Sequence, residues 1–178
     1  MRLGSVGFGV YLALIFLLMF ERGNLMTEIV KNSAAISHLD QCGEYAAAMS
    51  DLQDALKARR KAGEGRTDAQ VAEVARKVLQ GSMTLFQAAN DEQIRDAIRF
   101  VFENYHAYSP DVAKKNAATL AHIFKREKIW VGALYEGGLQ CLKTSGRMPE
   151  VSVLYAAVEE QQRKLASEFR LIKTVQQS

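Results

Sequence analysis

Only three histidines occur in the chain, His38, His106 and His122, and they bound the metal and acid–base chemistry it could perform. Glu103 and His106 stand three apart, the spacing by which a helical bundle presents a carboxylate–imidazole ligand pair to a di-metal centre. Such a centre needs a second pair, and the residue three before His122 is Thr119. No metal is expected, and His106 reads as a surface or boundary residue. Cys42 and Cys141 belong to no CxxC or Cys/His spacing and read as small core residues. A disulfide between them would need an oxidising compartment. Glu159 and Glu160 fall on an outward helical face, with no apolar pocket to raise a carboxyl pKa. The sequence has no GxxxxGK[ST] phosphate loop, no GxGxxG, no HExxH and no GxSxG. The expectation is a protein that is not an enzyme, with no catalytic, cofactor-binding or metal-binding residues.

The elements that carry these residues are helical. With 48% apolar residues, 24% charged residues and two prolines in 178, the chain is too apolar for disorder and too poor in turn residues for strands. The 3.6-residue period holds almost throughout. Tyr45, Met49, Leu52 and Leu56 predict an amphipathic helix over 42–62, ended by Gly63-Glu64-Gly65. Thr67 and Gln70 form a capping pair ahead of Val71, Val74, Ala75 and Val78, which predicts a helix over 68–80. Asn90 caps the next, with Ile94, Ile98, Val101, Phe102 and Tyr105 as its inward stripe. Ser109-Pro110 opens another, which turns Ala113, Ala117, Leu120 and Phe124 inward. The stretch from Trp130 to Leu142, apolar on more than one side, predicts either one buried helix or a pair broken at Gly137-Gly138. Val151, Val158, Leu165 and Ile172 repeat every seven residues in the final helix. The companion positions Gln161 and Glu168 are polar, so it should pack on its own domain and project a partly polar tail rather than form a coiled coil.

At the other end, Leu3 to Phe20 is an uncharged run that would span roughly 27 Å as a helix, enough to cross a bilayer core. Arg2 and Glu21-Arg22 flank it, and no small-residue cleavage site follows, so an uncleaved anchor is expected. Ser5, Gly9 and Ala13 recur every four residues and suit close helix–helix contact in lipid, hence homo-oligomer formation. The expected organisation is an anchor at 1–22, a helical stalk at 23–41 and an α-helical domain at 42–178: an all-α, bundle-like body behind one transmembrane helix. The slight excess of positive charge after the span turns the body towards the cytoplasm, and the bacterial inner membrane is the expected location. Met26 is a conceivable internal start, which would make a soluble form.

Two basic clusters, Lys57, Arg59, Arg60 and Lys61, then Lys125, Arg126 and Lys128, are candidates for contact with anionic lipid. No helix-turn-helix spacing or aromatic platform accompanies them, so nucleic acid is not the expected partner. Gly43-Glu44-Tyr45 with Ala48 and Ala55-Leu56 resembles one helix of a tetratricopeptide repeat, and Leu134-Tyr135-Glu136-Gly137 resembles part of a flagellin export chaperone. The repeat period does not recur at 77–90, and neither family is assigned. The layout predicts a membrane-anchored accessory or inhibitory factor that binds a protein, for instance a plasmid or phage exclusion protein. The alternative is a soluble adaptor or chaperone translated from Met26.

Overall fold

The computed structural model describes residues 33–60, 68–105, 109–144 and 147–177. The chain divides into Met1–Ser33 and Ala34–Ser178, and the second unit holds the helical body. The expected membrane span with Ser5, Gly9 and Ala13, the start at Met26, and the residues Lys61, Thr67 and His106 all lie outside the described residues. Among those described, no helix is long and apolar enough to cross a membrane.

The body is all-α. Its elements are α1 (Ser33–Arg60), α2 (Asp68–Ser82), a 3-10 turn (Met83–Phe86), α3 (Asp91–Glu103), α4 (Pro110–Glu127), α5 (Val131–Thr144) and α6 (Val151–Gln176). Local chemistry explains several of the ends. The Asn90 side chain accepts from the amides of Glu92 and Gln93, while the Gln93 side chain accepts from the Asn90 amide, closing a capping box. Asp91 and Glu92 then suit the positive end of the α3 dipole. Pro110 occupies the first helical position of α4, although Ser109 makes no side-chain cap bond. The same helix ends in a Schellman turn: Lys128 is left-handed (φ 52°, ψ 48°), its amide reaches the Lys125 carbonyl, and Ile129 reaches that of Phe124.

Packing follows from where the small residues fall. α5 is one unbroken helix through Gly137 and Gly138, not a pair broken there, because those glycines serve close approach. A Cβ on Gly137 would sit 2.6 Å from the Val158 Cα, so α5 and α6 meet backbone to backbone. Gly138 abuts Val101 of α3, and Gly132 abuts Leu85 of the 3-10 turn and Leu165 of α6. Around this spine, α2 lies on α6, and α3 joins α4 to α5. Val158, Leu165 and Ile172 of the seven-residue repeat are buried, with Val151 at their edge. Val175 is buried too, so α6 packs nearly to its end and projects no polar tail.

α1 starts at Ser33 and runs through the expected stalk boundary at 41/42 without interruption. Ala35 and Cys42 are already buried, so this stretch belongs to the core. A second link closes the base of the α3–α4 pair: Ala88 bridges Trp130, with Ala89 N–H on Ile129 O at 2.8 Å and Val131 N–H on Gln87 O at 2.9 Å.

Candidate functional site

Two places gather polar groups with apolar surface. The first is the seam under α1. His38 and Cys42 are one helical turn apart, so both face α5. The His38 ring stacks on Tyr135 with centroids 4.8 Å apart, and its Nδ1 is buried without a hydrogen-bond partner. Burial, and then the Glu136 carboxylate beside it, push the Cys42 thiol up to about 12. Tyr135 is likewise pushed up to about 12, by burial and then by Asp96, Cys42 and Glu92. One turn further along, the Tyr45 hydroxyl donates to Glu168 Oε2 of α6 at 2.7 Å, and burial with that bond raises its pKa. Thr84 Oγ1 of the 3-10 turn donates to Gln41 at 3.1 Å.

Cysteine, histidine and glutamate are the types of a nucleophilic site, but the electrostatics here run the other way. An activated cysteine needs its pKa lowered by positive neighbours. Cys42 is instead kept as a neutral thiol. The seam therefore fastens α1 to the body, and Phe86 completes it. Its ring meets Tyr45 at 5.5 Å, Trp130 at 5.7 Å and Phe169 at 4.9 Å, so one aromatic cluster ties α1, the 3-10 turn and α6 together. Trp130 also donates its amide to Gln162 Oε1 at 2.9 Å.

The second place is a groove between α4 and α6, lined by Asn116, Ile123, Glu150, Val151, Ser152 and Tyr155, with a volume of about 500 Å³ open to solvent. Val112, 43% exposed, extends the same stripe of α4 by one turn beyond Asn116. Tyr155 closes the far end by donating to Glu127 Oε2 at 2.8 Å, a bond that raises its pKa. The groove thus has apolar walls and a polar rim. Its two sides come from different helices, and the individual stripes give no sign that they face one another.

The sequence-predicted residues are spread across the surface and core. Cys42 and Cys141 are both free and buried, in keeping with small core residues. Glu160 is exposed and Glu159 half-buried, bound loosely to Arg163. His122 is exposed on α4. Of the first basic cluster, Lys57 is exposed and pairs with Asp54 at 2.9 Å, and Arg59 and Arg60 close α1. Of the second, Lys125 pairs with Asp91 at 2.7 Å, Arg126 with Glu127 at 3.3 Å, and Lys128 occupies the Schellman turn. The Lys125 bond holds the Asp91 carboxyl below its ordinary value. Among the described residues, no group of three or more His, Cys, Asp or Glu side chains is placed to hold a metal ion. No family model, no curated protein and no solved structure matches the chain.

Proposed function

We propose that the protein is a non-enzymatic, membrane-anchored interaction protein whose helical body docks a segment of another protein in the α4–α6 groove. The groove carries this reading: Ile123, Val151 and the Tyr155 ring offer apolar contact, while Asn116, Ser152 and Glu150 offer hydrogen bonds at the rim. Apolar anchors within a polar rim are the ordinary make-up of a docking surface. The uncharged run Leu3–Phe20 supports the anchor, and an accessory or inhibitory role, such as plasmid or phage exclusion in a bacterial inner membrane, suits that combination. One observation favours a second reading. The compact unit Ala34–Ser178 lies wholly after Met26, so a chain started there would contain the helical body and act as a soluble adaptor.

A photo-crosslinking residue at Asn116 in C-terminally tagged protein, with carbonate-washed membranes analysed beside the soluble fraction, tests both. The anchored reading expects a discrete adduct on full-length protein in the membranes, lost with Ser152→Arg. An adduct confined to a shorter soluble product supports the adaptor. Failure to obtain an adduct in either fraction overturns docking in the groove.

A further inference from the structure

The outward face of α4 carries a charge pattern that the groove does not use. Between Pro110 and Lys128 stand five basic side chains and two acidic ones, so this single helix and its cap account for the whole formal net charge of +3. The rest of the chain balances to zero. The charge is ordered as well as concentrated. Lys114, Lys115, Ala118, His122, Lys125 and Arg126 recur at helical spacing on one side, and all six are exposed. Lys125 and Arg126 have carboxylate partners, whereas Lys114, Lys115 and Lys128 form no ion pair among the described residues.

We propose that this face of α4 rests on an anionic lipid surface, which its row of lysines recognises through the negative headgroups. Charge complementarity selects a polyanion, and the apolar run Leu3–Phe20 selects lipid among polyanions. Twelve residues lie between Phe20 and Ser33, a tether that reaches at most roughly 45 Å when extended, so an anchored body stays within reach of the headgroups. The preference for lipid over another polyanion rests on the anchored reading; the charged face itself does not. The docking groove occupies a different flank of α4, through Asn116 and Ile123, and stays open when the outward face is down.

The test uses full-length protein with vesicles of neutral phosphatidylcholine, or the same with about 30 mol% phosphatidylserine, and reads lysine acetylation rates by mass spectrometry. Lys77, exposed on α2, is the internal control. Flotation with neutral vesicles reports the anchor. Acetylation reports the face: with phosphatidylserine, Lys114 and Lys115 should be acetylated roughly threefold or more slowly than with neutral lipid, relative to Lys77, and about 0.5 M salt should abolish the difference. The double variant Lys114→Glu/Lys115→Glu should lose the protection at Lys125 and Lys128 as well. Protein that floats with neutral vesicles yet shows equal rates on both lipids keeps its anchor and overturns the proposal. Protein that binds only phosphatidylserine vesicles, with Lys114 and Lys115 protected, upholds it and removes the anchor. Protection by duplex DNA but not by phosphatidylserine overturns it in favour of nucleic acid.

Discussion

The α5–α6 interface and the seam beneath α1 solve the same packing problem by opposite means. In the first, Gly137 removes a side chain so that two backbones touch, and Val158 fills the space. Close contact of this kind gains its strength from dispersion and from apolar burial, and leaves little room for adjustment. Beneath α1 the apolar burial of Met49, Leu52 and Ala55 is joined by long side chains with polar ends: His38 on Tyr135, Tyr45 on Glu168, Gln41 on Thr84. His38 stacks ring on ring, while the two hydrogen bonds add modestly when made and are expensive when one partner is lost. The pair α5–α6 is therefore the rigid spine, and α1 is a clip that adds these few polar contacts to the apolar burial of Met49, Leu52 and Ala55.

The largest expected effect falls on the spine. Gly137→Ala places a methyl group against Val158 backbone atoms, which cannot yield as a flexible side-chain tip would, and should cost about 3 kcal/mol or prevent folding. Urea unfolding followed by circular dichroism measures it, and a loss below about 1 kcal/mol would break the contrast between the two seams. Next comes alkaline pH. The unfolded Cys42 thiol ionises near 9.0, whereas the folded one holds its proton to about 12. For Tyr135 the corresponding values are 10.0 and about 12. Both folded values are raised, so their contribution is complete below the unfolded values and is lost as pH rises towards 12. The urea midpoint should fall across that window, and Cys42→Ala should flatten the fall more than Cys141→Ala.

A smaller effect belongs to the clip's hydrogen bond. Tyr45→Phe leaves the ring in place and strips Glu168 of its donor, for an expected loss of about 1–2 kcal/mol. In amide exchange the same variant should deprotect residues 45–55 of α1 while leaving 133–141 of α5 unchanged, and equal deprotection of both would show one cooperative unit. The smallest change has the opposite sign. Gly81 has nothing within 4 Å of its missing Cβ, so Gly81→Ala should stabilise α2 by about 0.5 kcal/mol, which calorimetry would read as a small rise in Tm.

Much of the helical layout is legible from periodicity. Ile94, Ile98 and Val101 are buried as their spacing requires, as are Val71, Ala75 and Val78, and Asn90 caps where it should. The stripe fails where a helix ends sooner than its pattern: α3 stops at Glu103, which leaves Tyr105 half-buried and bonded to the Cys141 carbonyl at 3.3 Å. Gly137-Gly138 reads equally as a breaker or as a contact, because the deciding partner, Val158, is on another helix. The same holds for the α1 seam. Tyr45 and Glu168 are 123 positions apart, and no local spacing pairs them. The groove escapes for a related reason, since each of its walls is an unremarkable helical face. The basic row on α4 is partly visible: Lys125, Arg126 and Lys128 stand together, while Lys114 and Lys115 join them only when the helix is wound.

The bridge between Ala88 and Trp130 bears on how the chain could be divided. It holds together the two strands of chain that enter and leave the α3–α4 pair, fastening a loop of roughly forty residues at its base rather than at its tip. Hydrogen bonds from Ala89 to Ile129 and from Val131 to Gln87 do the holding, and both lie entirely in backbone. A break between Glu103 and Pro110 would thus fall far from the fastening, and each fragment would keep one half of it. The protein is in this sense already built for fragment complementation: expressed as two pieces cut between α3 and α4, the halves carry matching backbone edges and the facing sides of a common core, and should reassemble without a covalent joint.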